Sequence, residues 1–410
     1  MQFADIVPQG PETEHFHKRI HCRSGHISVK YRNYVLVWGG SREVHYDMET
    51  KHEYHDTGEV MMYNCCTEVW TRLITSGQIP LKCSGSTGVI LGECLYVFGG
   101  TILRLQQVFN DGEGTSFETS SNALYKLDMR TLVWTELHPS GVCPSPCDKL
   151  VSWEYAGKLY FFGGFGPNPQ NLANVPFMYI ESSEDYAHKG WNNQFLCYNP
   201  EENNWSWPAS KGPTPLPRAA HAADIKNGKV YIFGGRLLDE RVNTLYCIDM
   251  ETMRWTENLT NLSDECPEGR SWHSFSFIND TTAIIYGGFS KNNMILNDCW
   301  KLNVGPNFVF WEEVPLAYDH GHPRFLHNTC MGRPGELIIH GGYVQPYYQL
   351  TFYTQQLADA LLTLNFEPKS LYRLCIKSCL KNFKETSSQW KLLPKTVEKT
   401  LKQRLEQINY

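Results

Sequence analysis

The chain of 410 residues has no apolar run near the roughly 18 residues that would suggest a membrane span. That argues against a membrane protein. Its first residues, Met1-Gln2-Phe3-Ala4-Asp5, supply neither a basic start nor an apolar signal region. The expected location is therefore intracellular, in cytoplasm or nucleus. Cys-x-x-Cys pairs are missing despite fourteen cysteines. In an intracellular chain these predict buried thiols, not a disulfide framework. Cys65-Cys66 and Cys143/Cys147 lack partners at zinc-finger spacing, so no metal or other cofactor is expected.

What is present is globular: 41% hydrophobic, 13% aromatic and 20% charged. Such a chain can bury a large core. The charge is uneven. From Lys369 onward there are ten Lys/Arg and three Asp/Glu, a net of +7, which leaves 27 against 40 before it, a net of −13. Two modules are expected. The tail's cations are spread over helix faces with few aromatics between them, which argues against nucleic acid.

Six Gly-Gly doublets punctuate the chain, at Gly39-Gly40, Gly99-Gly100, Gly163-Gly164, Gly234-Gly235, Gly287-Gly288 and Gly341-Gly342. Their first residues are 60, 64, 71, 53 and 54 positions apart. Each closes a short apolar run such as Val35-Leu36-Val37-Trp38. Aromatics follow at set intervals: Tyr125 and Trp134, Tyr246 and Trp255, then Tyr63 and Trp70 at closer spacing. Trp205, Trp300 and Trp311 take related places. These rings are read as packing between sheets.

The unit of strand, diglycine strand and aromatic strands resembles the kelch repeat. The resemblance implies an all-β, six-bladed propeller over residues 14–366, after an N-terminal tail at 1–13. Blade six lacks a Trp strand after Asp359–Leu364. The stretch Phe16-His17-Lys18-Arg19-Ile20 is expected to supply its outer strand and close the ring.

In an antiparallel blade, the residues before the first strand and those after the doublet share one face, the mouth. Arg and His recur before four first strands: Arg23/His26, Arg218/His221, Arg270/His273 and Arg324/His327. That recurrence predicts an architectural role, satisfying loop carbonyls. Departures from the repeat are the candidate site. Arg236 and Arg241 flank one loop, Ser271 and Trp272 stand in the next blade, and Lys149 replaces the recurrent His. Trp191 and Phe165 belong to the same rim. Three cations, a hydroxyl and two indoles suit a small carboxylate on an extended peptide. Equally, the cations could pair with the domain's own excess carboxylates.

After the propeller, Leu371, Cys375 and Cys379 recur every four residues behind Ser370, which predicts a capped amphipathic helix. This segment resembles a BC-box, the Elongin C-binding helix of cullin-RING substrate receptors. Leu393-Pro394 with Val397 and Leu401 resembles a cullin-2 box, in which a Leu-Pro turn opens a cullin-contacting helix. The resemblance therefore implies an α-helical BC-box and cullin-2-box module over 367–410.

Together these segments resemble the kelch-domain-containing substrate receptors of cullin-2 RING ubiquitin ligases. Members of that group read the extreme C-termini of their substrates, often ending in glycine. The resemblance implies that Arg236, Arg241 and Ser271 hold the terminal carboxylate and Lys149 contacts it or the peptide backbone. Trp191, Trp272 and Phe165 would line the walls. Leu371, Cys375 and Cys379 would bind Elongin C within Elongin B/C; Leu393, Pro394 and Val397 would bind cullin-2 with its RING subunit. The chain itself would be a non-catalytic adaptor. Ser41, Phe165 and Leu326 depart from the group's pattern and put the preferred terminus in question. Two other classes compete. A kelch enzyme is disfavoured because no Cys-Tyr-His ligand set stands out. A kelch scaffold or cytoskeletal protein without ligase attachment is disfavoured by the tail.

Overall fold

The computed structural model describes residues 20, 22–46, 49–106, 115–169, 175–183, 188–262, 265–305, 308–316, 323–344 and 357–408. Strand-forming runs of β-branched and aromatic residues alternate with tight turns. Asn227-Gly228 shows how the turns work. Both residues have positive φ, 50° and 71°, as a two-residue hairpin of type I′ requires.

The strands assemble into six main antiparallel sheets. Sheet one orders Ile27–Tyr31, Tyr34–Trp38, Glu59–Asn64 and Val69–Ile74 outward from the centre. Sheets two to five repeat that order, starting from Thr87–Leu91, Val151–Tyr155, Ala222–Lys226 and Ser274–Phe277. Sheet six contains Asn328–Met331, Glu336–His340 and Leu362–Asn365 among the described residues. The innermost strands contact one another in a closed cycle, sheet six meeting sheet one. The expected closing strand at residues 16–20 lies outside the described residues except for Ile20. That side chain is buried against Val35, Met61 and Ile338, between sheets one and six.

The core lies between neighbouring sheets. Trp38 and Trp134 meet at 5.3 Å between sheets one and two, and Phe162 and Trp255 at 5.3 Å between sheets three and four. The repeat tryptophans Trp70, Trp134, Trp205, Trp255 and Trp311 are all buried, as their spacing predicted. Among the described residues, which include all fourteen cysteines, no disulfide forms.

The doublets hold this packing together. At Gly234-Gly235, φ is 68° and 103°. A Cβ on Gly234 would lie 2.7 Å from the His273 ring, and one on Gly235 would lie 2.9 Å from the His221 Cβ. The doublets of sheets four, five and six each sit in this way between the His of their own sheet and that of the next. The partner arginines cap it: Arg218 and Arg270 each donate through Nη1 to the first glycine's carbonyl of their own sheet, at 3.0 Å. Arg23 does the same to Gly39 at 3.1 Å and Arg324 to Gly341 at 3.4 Å. The arginines therefore satisfy loop carbonyls as expected, whereas the histidine rings pack against the doublets.

A second cyclic feature tightens the mouth. Gly25, Gly85, Lys149, Ala220, Trp272 and Leu326 all have left-handed φ, between 54° and 71°. The N–H of each donates to the carbonyl of the equivalent residue one sheet away. Gly85 donates to Gly25, Lys149 to Gly85, Ala220 to Lys149, Trp272 to Ala220, Leu326 to Trp272 and Gly25 to Leu326, at 2.7–3.3 Å. The cycle closes after six bonds and leaves the four side chains of Lys149, Ala220, Trp272 and Leu326 at the mouth.

Below the cycle, the six inner strands enclose a channel of about 570 Å³, lined by small polar residues such as Ser28, Thr87, Ser152 and Ser276. The tail forms three helices: α1 (Leu371–Lys381), α2 (Phe383–Thr386) and α3 (Lys395–Ile408). Ser370 caps α1, its hydroxyl accepting from the Arg373 N–H at 3.4 Å.

Candidate functional site

Every doublet leads into a segment that pairs with the residues preceding its own first strand. The pairs are Ser24 with Ser41, Ser84 with Thr101, Asp148 with Phe165, Ala219 with Arg236, Ser271 with Phe289 and Phe325 with Tyr343. The two segments expected to share the mouth therefore lie side by side in all six sheets. What differs around the ring is side-chain chemistry.

The cationic sector belongs to sheet four. Arg236 and Arg241 face each other across the ribbon Arg236–Leu237/Glu240–Arg241. Arg241 is half-buried between aromatic faces, its guanidinium carbon 4.6 Å from the Phe289 centroid and 5.9 Å from that of Trp272. Its Nε donates to the Ser271 hydroxyl at 3.1 Å and its Nη1 to the Asn293 side-chain oxygen at 3.3 Å. Ser271 and Asn293 are neutral and orient the guanidinium, and aromatic walls strip away water, which strengthens any contact with an anion. Ser271 is fully buried, so it stands behind Arg241 as a support.

Arg236 lies over Trp191, 5.7 Å from the ring centroid, and donates through Nε to the Leu238 carbonyl at 2.8 Å. Asp239 is 3.8 Å away with its side chain 89% exposed, a weak pair. Trp191 is buried edge-on against Phe165, at 5.1 Å, so the third blade supplies an aromatic wall against which Arg236 of sheet four lies.

Lys149 behaves differently. Its ammonium is 2.8 Å from Asp148 Oδ2 and 5.6 Å from the Phe165 ring. The Thr101 hydroxyl donates to the same Asp148 oxygen at 2.6 Å. Here the alternative reading applies: this cation pairs with one of the domain's own carboxylates.

The neighbouring sector, on sheets five and six, is apolar. Phe289, Phe325 and Tyr343 are buried together, with Trp272 and Leu326 packed against them. The rim position Ser41 is 6% exposed, and its carbonyl accepts from the Ser24 hydroxyl at 3.2 Å. Arg236, Arg241, Lys149, Trp191, Trp272, Phe165 and Ser271 thus fall on three adjacent sheets of one mouth. Phe289 and Asn293 escaped the sequence reading as site residues. Phe289 carried a signal, since it directly follows Gly287-Gly288. Asn293 carried none, because its turn belongs to no repeat.

The recurrent histidines take no part in this chemistry. Burial, then the neighbouring Arg218 and Arg324, push His221 and His327 down to about 3. His26 and His273 are pushed well down for the same reasons.

The tail presents two faces. Arg373, Ile376 and Leu380 of α1 are buried, with Ile376 and Leu380 packed against Trp390 and Leu401. Leu371 is 76% exposed, and Tyr372, Leu374 and Cys375 are exposed beside it. Cys379 lies at the edge of the core and Val397 packs partly into it. Leu392 and Leu393 are exposed just before Pro394, whose carbonyl accepts from Val397 and Glu398 to start α3. α1 thus joins a small core built from the tail itself.

A ring of repeated sheets with glycine doublets, and with its unlike residues gathered at one mouth, defines a kelch-repeat protein. The KLHDC2/KLHL20/DRC7 Kelch-repeats domain matches residues 25–184 and 178–378, and the chain belongs to that family. It is 33% identical to Kelch domain-containing protein 2 of Bos taurus over 396 residues, covering 93% of this chain and 90% of the relative. It is 32% identical to Kelch domain-containing protein 1 of Homo sapiens, covering 95% and 90%. The solved structure of YjhT matches with a TM-score of 0.57 over 88% of this chain and 97% of that one, at 16% identity, which speaks to fold alone.

Proposed function

We propose that the chain is the substrate-recognition subunit of a cullin-2–Elongin B/C RING ubiquitin ligase, working in cytoplasm or nucleus without catalysing transfer itself. It takes the C-terminal carboxylate of target proteins, of the glycine type, into the mouth. The observation that carries the mouth assignment is Arg241: a guanidinium oriented by Ser271 and Asn293 between Phe289 and Trp272. Such a group grips a carboxylate bidentately in a water-poor setting. Arg236 supplies the second cation and the Trp191/Phe165 wall excludes residues too large for the pocket. A terminal glycine suits it because its carboxylate has no side chain beside it to clash with the walls.

The exposed Leu371, Leu374 and Cys375 support recruitment of Elongin C, with Cys379 at the edge of that face. Leu393 and Pro394 support the cullin-2 contact, while Val397 acts from behind by holding the start of α3.

The test has two arms. A peptide ending in Gly-Gly should bind the full chain, and its C-terminal amide should not; equal binding of the two would remove the carboxylate. Elongin B/C and cullin-2 should co-purify with the chain and be lost on Leu371→Ser with Cys375→Ser. Failure of the wild-type chain to capture them would leave a kelch interaction protein without ligase attachment.

A further inference from the structure

In sheets two, three and four the outer strand carries a buried Trp, and the segment arriving from the preceding sheet covers that strand's free edge. Ser76-Gly77 runs parallel to Val133-Trp134, and Ser140-Gly141 runs parallel to Asn204-Trp205. Lys211 forms a parallel bridge with Arg254. In sheets two and four the Trp main chain is used: Gln78 N donates to the Trp134 carbonyl at 3.0 Å, and Trp255 N donates to the Lys211 carbonyl at 2.8 Å.

Sheet one is the first in chain order among the described sheets, and its outer strand meets α3 instead. The equivalent residue is Trp70. Its N–H donates to Gln407 Oε1 at 3.3 Å, and Gln407 Nε2 donates back to its carbonyl at 3.1 Å. A primary amide carries the same donor and acceptor as a peptide group, so this side chain pairs with the Trp70 main chain as the arriving segment pairs with the outer strand in sheets two and four.

Beside it lies a cluster of four charges. Glu68, in the turn before Val69–Ile74, accepts from Arg373 Nε at 2.8 Å and Nη2 at 2.5 Å, and also from Arg404 Nη2. Arg373 Nη2 reaches Glu336 Oε1 at 2.6 Å, where the second strand of sheet six begins. Arg373 and Glu336 are 9% and 3% exposed. Two helices of the tail are therefore fastened to the first and last sheets of the ring at once.

We propose that α3 is the edge cap of sheet one, and that Gln407, Glu68, Arg373, Arg404 and Glu336 are positioning residues. They hold the exposed face of α1 at a fixed attitude to the mouth. The tail is then no appendage on a linker. A target gripped at Arg241 is presented to whatever docks on Leu371 and Cys375 in one orientation. The second half of this statement rests on the ligase reading above; the edge cap does not.

The experiment uses the full chain with Glu68→Gln, Arg404→Gln and Gln407→Ala combined. These changes remove one charge of each sign and leave the buried Arg373–Glu336 pair. Hydrogen exchange is followed at the Trp70 amide. Transfer of ubiquitin by the assembled ligase to a reporter ending in Gly-Gly is followed at saturating reporter. The Trp70 amide should exchange at least ten-fold faster, while binding of a Gly-Gly peptide and capture of Elongin B/C stay within two-fold. Transfer should fall about five-fold. Arg404→Lys, which keeps the charge, should restore most of it in a chain carrying only Arg404 changes.

Unchanged exchange at Trp70 would overturn the edge cap. Faster exchange with undiminished transfer would overturn the positioning role. If the wild-type chain captures no Elongin B/C, the ligase reading fails, and the Trp70 measurement still decides the edge cap.

Discussion

Arg270 and Arg241 lie one sheet apart, and the same side chain does opposite work at the two places. Arg270 is fully buried. It donates to the Gly287 carbonyl and pairs with both oxygens of Asp298 at 2.6 and 2.7 Å. Arg241 is only half-buried, oriented by neutral groups and flanked by rings. The lower layer recurs in four sheets and consumes its charges internally. The upper layer does not recur, and it sets a guanidinium among neutral groups and rings at the mouth. Function in this fold lies where the repeat is broken, and the broken positions depend on the repeated ones for their placement.

The strongest way to break this contrast is at Arg270. Arg270→Ala removes one partner of a buried, hydrogen-bonded pair and should cost about 3–5 kcal/mol of folding stability. A chemical-denaturation midpoint reads it directly. A loss below about 1 kcal/mol would mean that the lower layer is not structural.

Arg241→Ala should show the reverse pattern. Folding stability should change by less than about 1 kcal/mol, as at partly exposed sites away from the core. Binding of a Gly-Gly peptide should weaken by about 2 kcal/mol, roughly thirty-fold in Kd, the scale of a hydrogen bond to a charged group. Lys149→Met should weaken it less, because Asp148 already takes that charge. Titration by calorimetry separates the two. Equal losses would put the carboxylate between sheets three and four instead of four and five.

The histidines sharpen the contrast through pH. An unfolded His takes up a proton near pH 6.5, whereas folded His221 and His327 resist until about 3. Their contribution is complete above pH 6.5 and is lost as pH falls toward 3. At pH 5 each should have forfeited about 2 kcal/mol. In His221→Gln the proton uptake on unfolding should be lower by about half a proton at pH 6.5 and by about one at pH 5. An unchanged uptake would show that this ring is already charged in the fold.

How far the sequence could be read follows the same division. The doublets were legible because crowding by His221 and His273 leaves room for nothing but glycine at Gly234 and Gly235, so geometry dictates residue type. Arg236 and Arg241 were legible as departures from that frame. The tail was legible as a helix, but its two stripes were not sorted. Leu371 and Cys375 share the four-residue spacing of Ile376 and Leu380, and only packing against Trp390 and Leu401 decides which stripe is buried. Glu68 lies more than three hundred residues from Arg373 and Arg404, and no local pattern announces such a contact.

The hydrogen-bonded cycle at the mouth was invisible for a different reason, and it supports the smallest prediction. Gly25, Gly85, Lys149, Ala220, Trp272 and Leu326 share one left-handed conformation but no residue type. The backbone bond outweighs the conformational preference of four non-glycine residues, each of which bears a strain of about 1–2 kcal/mol. The sequence there is free to vary in chemistry while the backbone is not. Gly85→Ala should therefore cost only about 1 kcal/mol, because its new Cβ would come no closer than 3.3 Å to Asp148. Ala220→Gly should relieve strain but add chain entropy, for a net gain of about 0.5 kcal/mol or less. Paired denaturation curves test the two. A destabilised Ala220→Gly would mean that the left-handed backbone carries no strain at this ring and that the side chains, not the bonds, set its shape.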